Sequence, residues 1–336
     1  MDLMAEAEVN SYIVLGTALF MLLNSAAIAV YAERRVAAFI QNRIGPNRVG
    51  PLGLFQPLAD VLKLLLKEDV TPERGFRFIH TIAPMIPVIT ALMTVAVIPF
   101  GDGIYVTDLN AGVLYLLAIA SLGVYGVTLA GWASNSKYSL LGGLRAAASM
   151  ISYELPLGMA LASVVLFVGS LSVVDIAASQ ETWWYIFLNP VGAIIFIIAA
   201  FAESNRTPFD LVEAEQELVG GFHTEYSSMK FGMFFLAEYM HVVINSMLIT
   251  TFFFGSYHLP LAGLWLPEIS TGAKMMLDIS VFTVKTVFFV FFFIWVRWTI
   301  PRFKFNQIMK LGWSRLLPIS IINFIVIAAV LYLIHA

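Results

Sequence analysis

The stretch Ile194-Ile195-Phe196-Ile197-Ile198-Ala199-Ala200-Phe201-Ala202-Glu203-Ser204-Asn205-Arg206-Thr207-Pro208-Phe209-Asp210 passes within a few residues from a wholly apolar run to a charged one. The apolar half closes a run near 186–202, and runs of roughly 20 such residues are what a helix needs to cross a hydrocarbon core of about 30 Å. Seven more lie near 12–31, 81–99, 113–133, 146–169, 231–254, 279–298 and 316–334. The pattern predicts an all-α integral membrane protein, a single polytopic domain over 1–336 with about eight transmembrane helices. Composition agrees, with 60% hydrophobic residues, 12% charged and a mean hydropathy of +0.85, well outside soluble averages. Cysteine is absent, so the chain itself holds no disulfide, thiolate metal site or iron–sulfur cluster. Asp2, Glu6 and Glu8 with no early Lys or Arg do not make a cleaved signal peptide, and the first run reads as a retained span.

Eight crossings return both termini to one side. Of the 19 Lys and Arg residues, 17 fall in or beside the odd-numbered loops, and only Lys274 and Lys285 lie towards the other face. The positive-inside tendency then makes those loops cytoplasmic and both termini external.

The charged half of the opening stretch begins loop five, which carries Glu203, Asp210, Glu213, Glu215, Glu217 and Glu225 with Arg206 as its only cation before Lys230. It predicts a short amphipathic helix: Thr207 as cap, Pro208 in the first turn, Asp210 at the positive end and Gly220-Gly221 as the stop. Asp210, Glu213 and Glu217 share a face, and like charges at i,i+4 resist ionising together. Burial of the other face would raise their pKa values further, giving a stretch that exchanges protons near neutral pH. A solvated acidic loop is the alternative.

Loop one predicts a second amphipathic helix over Leu54 to Glu68, with Gln56, Asp60, Lys63 and Lys67 on one side and Leu58, Leu62, Leu65 and Leu66 away from them, the pattern of a helix lying along a membrane surface. Within the spans, Glu154 falls about eight residues into the fourth run beside the helix-loosening Pro156, which suits a proton relay or a structural acid. Glu238, His241 and Asn245 make a polar stripe on the sixth. The Glu238/His241 spacing also fits a di-iron ligand pair, but a second such pair is lacking in the sequence, so a hydrated polar file is the reading kept. Lys285, about six residues from the end of its run, is expected to snorkel. The aromatic residues are assigned to packing and lipid contact.

Several segments together carry a resemblance: Glu33-Arg34-Arg35; Asn42 to Pro51; Gln56-Pro57-Leu58-Ala59-Asp60; Gly131 to Tyr138; Leu144-Arg145-Ala146 with Ser152-Tyr153-Glu154; Ala202 to Ser227; and Arg297-Trp298-Thr299-Ile300-Pro301-Arg302. In this order and over nearly the whole chain, they resemble the membrane subunit of respiratory NADH:quinone oxidoreductase (complex I) that bacteria denote by the letter H. The resemblance implies a proton-translocating enzyme whose quinone chamber this subunit closes on the membrane side. Glu33, Arg34, Asp60, Arg206 and Arg297 match positions around the chamber and its mouth. Glu203, Asp210, Glu213, Glu215, Glu217 and Glu225 match the loop that responds to quinone chemistry, and Glu154 and Glu238, with Glu203 and Glu213, match the acidic path into the membrane arm. No residue here is implied in electron transfer or in binding a metal. Quinone, ubiquinone or menaquinone, would be the substrate, while iron–sulfur clusters and FMN sit in partner subunits. Those partners are soluble iron–sulfur and quinone-site subunits on the cytoplasmic side and small and antiporter-like membrane subunits alongside, with membrane lipid and no nucleic acid. The expected location is the bacterial inner membrane rather than the mitochondrial one. The sequence departs in one place: run 113–133 has no acid where some relatives carry Glu. Homologous subunits of hydrogenase, formate or ferredoxin-linked complexes, and a stand-alone ion transporter, are the competing readings.

Overall fold

A computed structural model describes residues 2–210, 219–260 and 270–335. Glu213, Glu215 and Glu217, and the body of the expected loop-five helix, lie outside the described residues. Among those described, every regular element is a helix, and seven helical segments are long and apolar enough to cross a membrane.

The first is α1 (Asp2–Ile40), 39 residues and about 58 Å long. A surface helix, α2 (Gln56–Leu66), follows. The second crossing is built from α3 (Arg77–Ile82) and α4 (Met85–Thr94), separated where Pro84 denies the ladder a donor. Then come α5 (Gly112–Ala133) and α6 (Lys137–Val168), the latter continuous through Pro156. Two short pieces, α7 (Val173–Ala178) and α8 (Tyr185–Leu188), lead into α9 (Pro190–Glu203). Beyond loop five stand α10 (Ser228–Phe253) and α11 (Thr271–Thr299). The last crossing joins α12 (Phe305–Leu311) to α13 (Leu317–His335) through a wide π-type turn at Gly312–Leu316.

The run near 186–202 departs from expectation. It folds as α8 and a 14-residue α9, about 21 Å long and short of a full crossing. The break falls at Asn189, whose Oδ1 accepts from Gly192 N at 2.9 Å and from Asn323 Nδ2 at 3.0 Å while its Nδ2 donates to Ser163 Oγ at 2.7 Å. Polar partners from α6 and α13 thus let the chain interrupt its helix inside the bundle.

Helix ends also outrun the apolar windows. Because α6 begins at Lys137, Glu154 lies 17 residues in, near the middle of 32, not eight. Lys285 is 14 residues from either end of α11. It does not snorkel: its Nζ donates to the carbonyls of Phe254, Ser256 and His258 at 2.7, 2.9 and 2.6 Å.

The core gathers alanines and aromatics. Ala193, Ala199 and Ala200 of α9 are fully buried, and their small size lets α6 and α10 close on either side. Phe196 lies edge-on to Phe252, and Phe201 stacks on Phe293 at 4.0 Å. Large apolar side chains elsewhere, such as Phe20, Val284 and Tyr332, point outwards, as lipid-facing surfaces require.

Candidate functional site

At the cation-rich end of the bundle, α1, α10, α11 and the turn after α9 bring four charges together. Arg297 Nη1 lies 2.6 Å from Glu33 Oε1. Arg206 is shared: its Nη1 is 3.7 Å from Glu33 Oε2 and its Nη2 is 3.6 Å from Glu238 Oε2. Beneath the guanidinium is the ring of Tyr239, 4.1 Å from Cζ to centroid, and the Tyr239 hydroxyl hydrogen-bonds Glu33. Glu33 and Arg206 are 8% and 4% exposed. Charges so far from water persist only when paired, and two carboxylates here meet two guanidiniums. A cavity of about 10 Å³ remains between Glu33, Arg206, Tyr239 and Arg297, about the room one water needs.

The turn over 204–209 sets Arg206. The sequence predicts a helix from Pro208, whereas the chain makes a turn in which Phe209 N donates to Arg206 O at 2.9 Å and Asn205 takes φ 49°. Tertiary anchors outweigh the helix signals. Asp210, expected at a helix end, is 3.1 Å from Arg302; Phe303 N donates to Pro208 O at 3.0 Å; and Phe209 packs edge-on to Tyr153 and Phe303.

A second group lies one turn deeper. Glu203, Glu238 and His241 line a cavity of about 30 Å³ whose remaining wall includes Asn205, Met150 and, from α5, Ala120, Gly123 and Val127. That volume suits about two waters, and it opens against α5, whose run 113–133 carries no acid. Asn245 bonds both Glu203 and the Ala200 carbonyl, the latter at 3.1 Å, while Glu154 lies within electrostatic reach of Glu203. Of the polar stripe Glu238, His241, Asn245, the first two members face the cavity and the third bonds Glu203. Among the described residues no group of three or more His, Asp or Glu side chains is placed to hold a metal ion.

The third group is the surface helix. Arg34 pairs with Asp60 at 2.7 Å and Gln56 Nε2 donates to Asp60 Oδ1 at 3.1 Å. Leu58, Val61, Leu62 and Leu65 are exposed on the outward side. The helix is tied to the start of α10 by Ser228 Oγ, which donates to Leu64 O, and the segment after it by Val70 N, which donates to Ser227 Oγ, and by Lys230, which pairs with Asp69 at 2.9 Å. Glu225 stands apart from all three groups; its carbonyl meets His80 Nε2 at 3.3 Å.

Three residues here escape a reading of the sequence. Tyr239, an aromatic in an apolar helix, looks like packing. Lys230 looks like a span anchor. His223 shows only a lone imidazole in a loop, yet it packs against Phe222, Phe231 and Phe234 and lies 3.8 Å from Glu238. Burial pushes its pKa down to about 3 and pushes that of the neighbouring Tyr226 phenol up.

The family described as NADH dehydrogenase matches residues 13–328. Among curated relatives, the NADH-quinone oxidoreductase H subunit of Salinibacter ruber (strain DSM 13855 / M31) is 57% identical, covering 91% of this chain and 92% of its own. NADH-quinone oxidoreductase subunit 8 of Rhodothermus marinus is 55% identical, over 92% and 94%, and the H subunit numbered 1 of Geobacter metallireducens is 48% identical over 94% of both. At such identity over nearly its full length, this multi-pass chain belongs to the H-subunit family and is a membrane subunit of NADH-quinone oxidoreductase, complex I, with other complex I subunits as its partners.

Proposed function

We propose that the Glu33, Arg206 and Arg297 cluster forms the membrane side of the quinone chamber, and that Arg206 links quinone chemistry to the acids that carry protons into the membrane. The observation that carries this reading is one guanidinium serving two carboxylates on different helices, Glu33 on α1 and Glu238 on α10. Reducing a quinone to quinol takes two electrons, delivered by a partner subunit, and two protons. Negative charge developing beside Glu33 competes for Arg206 and Arg297, because Coulomb terms are strong where water is scarce. As Arg206 moves towards that charge, Glu238 loses its counter-ion and gains affinity for a proton. Glu203, Glu154 and the two-water cavity extend the relay, water standing in for the missing acid on α5. The loop-five carboxylates Asp210, Glu213, Glu215, Glu217 and Glu225 respond to the same charge.

A lipid-open groove of about 500 Å³ between α1, α10 and α11 supports a quinone. It is walled by residues such as Phe20, Ile28, Phe282 and Val287, and it reaches Ala29 and Val290, which also border the ion cluster. An isoprenoid tail suits such walls. Arg34, Asp60 and α2 frame the mouth on the other flank. The cationic end faces the bacterial cytoplasm and the soluble iron–sulfur and quinone-site subunits, with both termini in the periplasm, an arrangement in which α8 and α9 together make the eighth passage; small and antiporter-like subunits pack laterally.

Arg206→Gln tests the reading in the assembled enzyme. NADH oxidation by an artificial acceptor that bypasses quinone should be unchanged, while NADH:quinone turnover falls at least about tenfold, the loss that about 1.4 kcal/mol gives. Normal quinone turnover and pumping would refute it.

A further inference from the structure

Lys285 takes no part in the chemistry above, yet it is held at every donor. Its three N–H donors are all used, on the carbonyls of Phe254, Ser256 and His258, and only the ammonium form has three to give. It also lies 4.3 Å from the Trp184 ring. Among the described residues no carboxylate pairs with it; its partners are backbone dipoles, which solvate the charge without cancelling it. Three carbonyl acceptors favour its ammonium form, halfway along α11.

Its position separates two sets of acids. On one side is the polar stripe of α10, Glu238, His241 and Asn245, about 10 Å of helix. Towards the end of α10, Gln180 ties the chain, donating to Thr251 O at 2.7 Å and accepting from Gly255 N at 3.1 Å. On the other side lies an outer group: Asp102 paired with Lys274 at 2.7 Å, Asp278 accepting from Asp102 N at 3.3 Å, and Glu181, all within reach of Tyr257. A relay that carries protons sideways from Glu238 must not leak along α10 into that outer group.

We propose that Lys285 is an electrostatic barrier that prevents proton passage between the α10 acids and the outer carboxylates. Fixed cations and dipoles exclude protons from water-conducting pores in this way, and an ionisable residue at mid-membrane depth is costly enough to need a role. The inference rests on the acid path proposed above. The two fail separately: Glu238→Gln that pumps normally removes the path, whereas the Lys285 experiment reads passive leak.

The complex is reconstituted into proteoliposomes, and passive proton permeability after an acid pulse is measured beside NADH:quinone turnover and pumping. Lys285→Gln keeps hydrogen-bond donors and drops the charge. It should turn over within about twofold of the parent but leak protons about tenfold faster, which corresponds to about 1.4 kcal/mol of barrier, and so pump fewer protons per NADH. Lys285→Arg should stay tight. If Lys285→Gln fails to assemble, Ser256→Asp, which sets a carboxylate beside the ammonium, should leak in the same way. An assembled Lys285→Gln or Ser256→Asp enzyme as tight as the parent overturns the proposal. Failure of both to assemble while Lys285→Arg assembles also overturns it, because the ammonium then serves only to hold the turn.

Discussion

Arg206 has one charge for two carboxylates, and what decides how it divides is the ring beneath it. The Tyr239 face holds the guanidinium in plane, and a desolvated contact of this kind contributes up to about 2 kcal/mol. Tyr239→Leu should therefore lower NADH:quinone turnover by about tenfold or more, while Tyr239→Phe, which keeps the ring and loses the hydroxyl bond to Glu33, falls between it and the parent. Equal losses in the two variants would show that the hydroxyl and not the ring matters. His223 gives a second expectation. Its pKa, 6.5 when exposed, falls to about 3 on burial among phenylalanines. Between those values the unfolded chain binds the proton and the folded one does not, so stability is complete above pH 6.5 and is lost as pH falls towards about 3. His223→Phe should flatten the dependence of the thermal midpoint on pH across that window, measured on the purified complex. The charged members of the site were legible in the sequence because a charge beside an apolar run has few bland explanations. Tyr239 and His223 were not, since a phenol or imidazole acquires its role only from neighbours distant in the chain.

At the scale of helices, the apolar windows located every crossing but misplaced its ends. A hydropathy window measures hydrocarbon depth, whereas a helix continues as long as its backbone bonds are satisfied. α1 therefore extends to 39 residues and α6 starts nine before its window. The opposite error occurred at 186–202, where Asn189 finds side-chain partners on α6 and α13 that no local reading could supply. Loop five met the same limit, because Arg302, Phe303 and Tyr153 draw Phe209 and Asp210 out of the expected helix. Where α6 meets the end of that loop the approach is backbone to backbone: a Cβ on Gly142 would lie 2.6 Å from Gly221 Cα and 2.9 Å from Phe222 N. Neither can yield as a flexible side chain would. Gly142→Ala should destabilise the contact by about 1–3 kcal/mol and lower the yield of intact complex, read by native gel after extraction.

Taken whole, the molecule has no free-standing portal. The surface helix α2, which with Asp60 frames the proposed mouth, is tied through Ser228, and the segment just after it through Ser227 and Lys230, to the first turns of α10, and Glu238 lies ten residues along that same α10. A helix is stiff over such a length, so the proposed mouth and relay would move as one body. Meanwhile Leu58, Val61, Leu62 and Leu65 are exposed along α2, and such an apolar edge would hold the helix at the level of the lipid headgroups. The bilayer thereby gains a handle on the enzyme. Changing its thickness raises or lowers that level against the crossings, and the shift is delivered to Glu238 instead of being absorbed by a slack loop. Reconstituted in lipids of graded acyl length, the complex should couple best in a narrow band of thickness, its protons per NADH falling on both sides before quinone turnover does. On this proposal the elasticity of the surrounding membrane would become, through four leucine and valine side chains and two serines, a setting of the pump's gearing.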